Sequence, residues 1–168
     1  NPAKAPWYFL NLQELLLHMN PSLAGVIVPT AVLAFLMSIP YLDRNLSDIG
    51  IWFASRKGKL ITIWSTIYTV PLLVGLILFD QYIRVRSLIS EPELIPGWLI
   101  PMAVMGLLSA GLYAVVRPFR PNTREVLVAY FTGFVVTFFV LTIASTFFRG
   151  LGMNLTLPWN LPPGALSF

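Results

Sequence analysis

Four long apolar runs constrain the fold of this chain more than any other feature of its sequence. They extend over about Leu23–Pro40, Leu60–Phe79, Gly97–Val116 and Glu125–Phe148. Each run is close to the ~20 residues that an α-helix needs to cross a bilayer, and none alternates as a barrel strand does. Only 11% of the residues are charged, whereas soluble domains have about 25%. The sequence therefore predicts an all-α integral membrane protein with four transmembrane helices.

The segment before the first run combines aromatic side chains with a single carboxylate. The residues Pro6–Phe9 (PWYF) precede a leucine-rich stretch that contains Glu14. Amphipathic rings suit the boundary between water and lipid, and a carboxylate among leucines is costly unless it is paired, protonated or functional. We expect a short interfacial helix over about Leu10–Met19. On it, Trp7, Glu14 and Leu17 share a face, because seven residues make about two helical turns.

The residue types present exclude several chemistries. The chain has no cysteine, which excludes disulfides, thiolate metal sites and covalent haem attachment through Cys-x-x-Cys-His. One histidine cannot supply a bis-histidine haem, and the scattered acids show no metal-ligand spacing. The net charge of +4 is spread over loops, which does not fit nucleic-acid binding. A transporter or channel is disfavoured, because no acid, histidine or arginine lies in the middle of a span.

Basic residues are divided unevenly between the two sides of the membrane. The loops at 41–59 and 117–124 hold seven of the eleven Lys and Arg residues, namely Arg44, Arg56, Lys57, Lys59, Arg117, Arg120 and Arg124. The other side holds Lys4, Arg84, Arg86 and Arg149. By the positive-inside rule the two basic loops face the cytoplasm. Because four spans return the chain to its starting side, both termini are expected on the opposite, periplasmic (positive) side.

Charged residues outside the aromatic segment are interpreted as loop or interface groups. Asp43 and Arg44 are expected to form a loop ion pair or to cap a helix end. Asp80 is expected to be a solvated helix terminus, and His18 a solvated interface residue. The arginines of the second basic loop, Arg117, Arg120 and Arg124, are interpreted as topology determinants that touch anionic lipid.

Local signals refine the predicted helices. Pro29 is expected to bend the first span, because proline removes a helical hydrogen bond. The small residues of the third span, among them Gly106 and Gly111, favour close approach of another helix. Asn122 or Thr123 is a suitable N-cap for the fourth span.

Three short motifs resemble a known family in order and spacing. They are NPAKAPWYF at 1–9, PSLAGV at 21–26 and IPYLD at 39–43. Together they resemble the C-terminal domain of cytochrome b, which is the separate subunit IV of cytochrome b6f complexes. The family has a Pro-Glu-Trp-Tyr motif on the positive side, before a helix that ends at Pro-hydrophobic-Leu-Asp/Glu. Ala5–Tyr8 holds the place of the first motif, and Pro40–Asp43 follows one membrane thickness later. The tail, with FFRG at 147–150 and Pro158-Trp159, resembles bacterial menaquinol-type relatives.

The resemblance implies a subunit of a cytochrome bc/b6f-like complex that lines the positive-side quinol-oxidation site. Pro6, Trp7, Tyr8 and Phe9 would bind the quinol, which the resemblance to bacterial relatives implies is menaquinol. Tyr8 would be a gate or hydrogen-bond donor near the quinone head. Electrons would pass to a Rieske 2Fe-2S protein and to a b haem of the cytochrome b N-terminal subunit. A c-type cytochrome and membrane lipids complete the implied partners, in a bacterial inner (plasma) membrane. The chain would act within a quinol–cytochrome c or plastocyanin-type oxidoreductase and not as an enzyme alone.

The sequence departs from the family at two points. Pro6 stands where the motif carries its proton-accepting Glu. We therefore hypothesise that Glu14, the one carboxylate of this segment, is the catalytic proton acceptor beside Tyr8. No span precedes the motif and four follow it, where the family has about one before and two or three after. The missing first span is expected from a truncated N-terminus. The fourth span is expected from a divergent branch, or from a cytochrome-bc-like complex whose overall chemistry has changed. The alternative is a non-catalytic anchor subunit that binds quinone or lipid passively.

These interpretations divide the chain into three parts. Residues 1–20 are the quinol-pocket loop and interfacial helix, 21–148 the four-helix transmembrane domain, and 149–168 a C-terminal coil on the positive side.

Overall fold

The architecture is helical throughout the described part of the chain. The computed structural model describes residues 5–43, 51, 53, 55–83, 94–150, 153–157 and 159. Four of its helical segments are long and apolar enough to cross a membrane, namely Leu23–Leu42, Arg56–Ile83, Ile95–Phe119 and Thr123–Phe147. Among these residues the β-type pairing of backbone is limited to an isolated bridge between Arg149 and Leu155. The prediction of an all-α membrane protein with four spans is confirmed.

A short helical segment precedes the first span. A 3-10 turn, Trp7–Phe9, leads into helix α1, Leu10–His18. Phe9, at φ −107° and ψ 0°, separates the turn from the helix. The backbone N–H of Ala5 donates to Oε1 of Gln13 at 2.8 Å, which ties the start of the aromatic run to α1. The short helix predicted over Leu10–Met19 is confirmed within one residue.

The first and third spans both begin with a π-helical turn. Leu23–Ile27 precedes helix α2, Val28–Leu42, and Ile95–Leu99 precedes helix α4, Ile100–Val116. In each case a proline follows two residues after the turn, Pro29 or Pro101. A proline ring clashes with the carbonyl four residues before it, and a wider turn relieves that clash. A π-turn therefore precedes Pro29, and the bend expected there stays a prediction.

Helices α3 (Arg56–Ile83) and α5 (Thr123–Phe147) form the main packed pair of the bundle, and α5 also packs along α1. Helix α4 approaches α3 at Gly111, where an added Cβ would collide with the hydroxyl of Tyr68. That hydroxyl donates to the carbonyl of Leu108 at 3.2 Å. Gly106 has open space instead. Close helix approach at the small residues of the third span is therefore confirmed at Gly111 and not at Gly106.

The two basic loops meet at one end of the bundle. Nε of Arg124 donates to Oδ2 of Asp43 at 2.6 Å, and the hydroxyl of Ser55 lies 3.3 Å from Oε1 of Glu125. The described ends of the first loop, at 43 and 55, therefore lie at the same end of the bundle as the second loop, as their charge predicted. Asp43 pairs with Arg124; Arg44, its expected partner, lies outside the described residues, as do Lys4, Arg84, Arg86 and residues 160–168 of the tail.

Helix α5 begins with a complete capping box. The Asn122 side chain accepts from the backbone N–H of Glu125, and the Glu125 carboxylate accepts from the backbone N–H of Asn122, both at 2.9 Å. Such reciprocal bonds satisfy N–H groups that would otherwise lack partners at a helix start. Asn122, one of the two predicted caps, is thus the N-cap.

The opposite end of the bundle gathers α1 with the last turns of α3 and α5. The backbone N–H of Asn20 donates to the carbonyl of Gly97 at 2.9 Å, which joins the end of α1 to the start of the third span. Met19, Leu23 and Ala24 form a buried apolar cluster beside this link. The four-span topology therefore places the aromatic turn, α1 and the segment after α5 on one side.

Candidate functional site

Helix α1 carries a carboxylate into the interior. Leu10 and Glu14 are its buried residues, one turn apart on one face, and each is 0% exposed. Glu14 thus occupies a position where an apolar side chain would normally pack. A buried carboxylate loses its hydration and must be compensated by partners.

Arg149 supplies that compensation. Its Nε donates to both oxygens of Glu14, at 3.1 and 3.0 Å, and its Nη2 donates to Oε1 at 2.5 Å. Its Nη1 donates to Oε1 of Gln81 at 3.1 Å and to the carbonyl of Met153 at 3.2 Å. All three guanidinium nitrogens therefore have acceptors, and Arg149 is only 2% exposed. A planar guanidinium suits such multidentate binding of a carboxylate better than an ammonium does.

The backbone after α5 holds Arg149 in place. The N–H of Gly150 donates to the carbonyl of Asn154 at 2.9 Å, and the N–H of Thr156 donates to the carbonyl of Phe148 at 2.8 Å. These bonds turn the chain back on itself directly after the helix. Arg149 therefore reaches Glu14 on α1 from a backbone segment that these two hydrogen bonds hold.

His18 and Asp80 extend the ion pair toward the surface. Nε2 of His18 lies 3.4 Å from Oε1 of Glu14, and its Nδ1 lies 2.5 Å from Oδ2 of Asp80. Asp80 stands near the C-terminal end of α3, where the helix dipole disfavours a carboxylate and a cation offsets the cost. The expectations that Asp80 and His18 are simply solvated are therefore wrong. We call Glu14, His18, Asp80 and Arg149 the charge quartet.

Both titratable groups of α1 are perturbed within the quartet. Burial acts to raise the pKa of Glu14, but hydrogen bonds from His18 and Arg149 outweigh it, and the pKa is lowered from 4.5. Burial acts to lower the pKa of His18, but hydrogen bonds to Asp80 and Glu14 outweigh it and raise the pKa to about 9. At neutral pH the quartet therefore contains two cations and two anions, because His18 is protonated.

The aromatic turn lies in quite different surroundings. Trp7, Tyr8 and Phe9 are 64%, 51% and 50% exposed. The ring centroids of Trp7 and Tyr8 are 5.7 Å apart edge to face, and those of Tyr8 and Phe9 are 4.8 Å apart. Trp7 and Glu14 were expected on one face of a helix, yet the first is exposed and the second is buried. The structure thus presents a connected aromatic surface next to, but separate from, the carboxylate.

Chemically, the quartet is suited to holding charge and fixing α1. A carboxylate whose pKa is lowered is a weaker base, and Arg149 occupies both of its oxygens. Arg149, Asp80 and Gln81 were missed as site residues by the sequence interpretation. A usable signal existed, since the four-span topology puts all three on the side of Glu14. Among the described residues there is no His/Cys/Asp/Glu cluster suited to a metal ion.

Fold and site together define the class of this molecule: a multi-pass, all-α membrane protein with an exposed aromatic segment next to a helix that is anchored by a buried ion pair. Residues 2–81 match the family described as cytochrome b (C-terminal)/b6/petD, so this segment belongs to the cytochrome b C-terminal family and the resemblance is confirmed. This match supports a subunit of a cytochrome bc/b6f-type complex. Searches of curated proteins and of solved structures found no match.

The family match divides the charge quartet. Glu14, His18 and Asp80 lie within residues 2–81, whereas α4, α5 and Arg149 lie beyond them. The buried carboxylate of Glu14, within the matched segment, is therefore paired with an arginine that lies outside the match.

Proposed function

We propose that this subunit lines the positive-side quinol-oxidation site of its complex. The observation that carries the proposal is the exposed aromatic surface of Trp7, Tyr8 and Phe9, which stands in the place of the family's motif at one end of the bundle. Exposed aromatic groups next to a lipid interface suit a flat, apolar quinone ring. Pro6 fixes the backbone where the chain enters this surface.

In this site the residues of the aromatic turn have distinct roles. Trp7 and Phe9 pack against the quinol ring, and the Tyr8 hydroxyl forms a hydrogen bond with the quinol head. Oxidation releases two electrons and two protons from the quinol. One electron passes to a Rieske 2Fe-2S protein and onward to a c-type cytochrome, and the other passes to a b haem on the cytochrome b N-terminal subunit. Menaquinol is the proposed quinol, as in the bacterial relatives that the tail resembles.

Glu14 has two candidate roles in this site. It accepts a quinol proton, or it anchors α1 behind the aromatic turn. The buried ion pair with Arg149 and the lowered pKa of Glu14 favour anchoring. Proton acceptance predicts that Glu14→Gln lowers kcat and removes an acidic limb from the pH profile while leaving quinol affinity intact. Anchoring predicts instead that quinol affinity falls.

We further propose a bacterial inner membrane with both ends of the chain on the periplasmic side. The meeting of the two basic loops at one end of the bundle supports this orientation. Single cysteines at position 8 and at position 120, labelled in intact cells with an impermeant maleimide, test it. Labelling at 8 and protection at 120 is expected; the reverse pattern overturns the orientation.

The alternative function is a non-catalytic anchor subunit. The replacement of the motif carboxylate by Pro6 favours it, because the usual proton acceptor is then missing. The test is to purify the complex and record redox difference spectra and quinol-dependent reduction, with and without a positive-side quinol-site inhibitor. Reduced b haem, a Rieske signal and inhibition support the quinol site. A complex without b haem and without inhibition supports the anchor.

A further inference from the structure

We infer that Arg149 is a positioning residue of the quinol pocket, and that α5 and the turn after it complete a site whose motif lies at the other end of the chain. This inference rests on the proposed function. It concerns the part of the chain outside the family match, and it assigns that part a task within the pocket.

The first step is the set of elements that Arg149 joins. Its guanidinium binds Glu14 on α1, Gln81 near the end of α3 and the carbonyl of Met153 in the following turn. Loss of this one side chain would release contacts to all three. Arg149 is buried, so water does not readily replace those bonds.

The second step connects α1 to the aromatic turn. Phe9 is followed directly by Leu10, the first residue of α1, and the N–H of Ala5 is bonded to Gln13 on α1. Helix α5 contacts both α1 and the aromatic turn. A shift of α1 would therefore displace Trp7, Tyr8 and Phe9, and the Glu14–Arg149 pair resists that shift.

The third step concerns His18, which forms a second link between α1 and α3. The charged groups that face it among the described residues are Glu14 on its own helix and Asp80 on α3, with Arg149 behind Glu14. Protonated His18 bridges two carboxylates. When it loses its proton, the quartet keeps two carboxylates and one guanidinium, and the link between α1 and α3 weakens. Quinol affinity should then fall at alkaline pH.

The quartet also bears on the absence of a carboxylate from the aromatic turn. Pro6 leaves the aromatic turn without an acid of its own, so the turn cannot be fixed by an ion pair within the motif. The nearest acid of the segment, Glu14, is fixed instead by a residue 135 positions later. Positioning of the aromatic turn therefore depends on an ion pair between α1 and the segment after α5.

The test uses the intact complex carrying Arg149→Gln, Arg149→Lys or Arg124→Gln. Arg124→Gln is the matched control, because it removes an arginine from an ion pair at the opposite end of the bundle. KM and kcat are measured with a soluble menaquinol analogue, and the Kd of a positive-side inhibitor is measured separately. Haem content per complex reports assembly.

For Arg149→Gln we expect KM and the inhibitor Kd to rise about tenfold, with a smaller change in kcat, because a displaced pocket binds its ligand poorly. Arg149→Lys should restore part of the affinity, and Arg124→Gln should change it by less than twofold. If Arg149→Gln does not assemble, Glu14→Gln/Arg149→Gln replaces it, since it leaves no unpaired buried charge; its affinity should be reduced likewise. His18→Gln should remove the alkaline fall in inhibitor affinity.

Two outcomes contradict the inference in separable ways. A wild-type complex that oxidises quinol, with Arg149→Gln or the double variant unchanged in KM and inhibitor Kd, overturns the positioning role alone. A wild-type complex that neither oxidises quinol nor binds the inhibitor overturns the proposed function, and the positioning role with it.

Discussion

The guanidinium of Arg149 donates hydrogen bonds to the carboxylate of Glu14, a residue 135 positions earlier in the sequence, and both side chains are almost completely buried. The pair closes the bundle at the end where the aromatic turn lies. Because both groups are buried, each loses its hydration at a cost in free energy, and the arrangement is favourable only when both partners are present.

Removing one partner of this pair should destabilise the protein more than removing both. We expect Glu14→Gln or Arg149→Met to cost about 3–5 kcal/mol, because an unpaired buried charge remains. Glu14→Gln/Arg149→Met should cost less than either single change. Thermal denaturation in detergent or nanodiscs, analysed as a double-mutant cycle, measures the coupling. Strict additivity of the two single changes would contradict the buried pair.

Stability should depend on pH through His18 and Glu14. The pKa of His18 rises from 6.5 to about 9 on folding, so its contribution is complete below pH 6.5 and is lost as the pH rises through 9. The pKa of Glu14 is lowered from 4.5, so its contribution is present above pH 4.5 and is lost in more acidic solution. We expect Tm to be highest between pH 4.5 and 6.5 and to fall as the pH rises from 6.5 to 9. His18→Gln should flatten the alkaline fall, and an unchanged alkaline slope in that variant would contradict the assignment.

Gly111 should be intolerant of a side chain. An added methyl group collides with the Tyr68 hydroxyl, so we expect Gly111→Ala to cost about 1–3 kcal/mol despite the higher helix propensity of alanine. Gly106→Ala, in open space on the same helix, is the control and should be neutral or slightly stabilising. Tyr68→Phe in the Gly111→Ala background should recover part of the loss. Equal Tm values for the two glycine variants would rule out the close approach.

The aromatic turn should affect quinol chemistry more than folding. Trp7→Ala and Tyr8→Phe alter exposed side chains, so the free energy of unfolding of the purified protein should change by about 0.5 kcal/mol or less. In the assembled complex, Tyr8→Phe should lower kcat/KM through loss of one hydrogen bond, by about tenfold. Trp159→Ala, which changes another exposed tryptophan, is the control. A complex in which Trp7→Ala and Trp159→Ala behave alike would argue for the anchor function.

Most of the membrane architecture was predictable because it depends on local properties. Run length and hydropathy predict the spans, and the Asn122 cap depends on neighbours within three residues. The partner of Glu14 was not predictable in the same way. A lone carboxylate among leucines indicates that a cation is needed, but the choice among the basic residues on that side requires the packing of α5 against α1.

The interpretation of Asp80 and His18 was wrong for a related reason. Each residue taken alone resembles a solvated group at a helix end. Their pairing arises only when the end of α3 and the end of α1 lie side by side, 62 residues apart in sequence. Side assignment by the charge rule already placed them together, so a search for complementary charges on one side would have found the pair.

Two cations and two anions make the charge quartet electrically neutral while His18 holds its proton. A neutral group feels no net force from the transmembrane voltage, so energising the membrane does not pull α1 toward either face. If His18 lost its proton, the quartet would carry one net negative charge. The energy of one elementary charge changes by about 2.3 kcal/mol per 100 mV when it crosses the full membrane field. While His18 is protonated, the transmembrane voltage therefore exerts no net force on the quartet that holds α1 behind the aromatic turn.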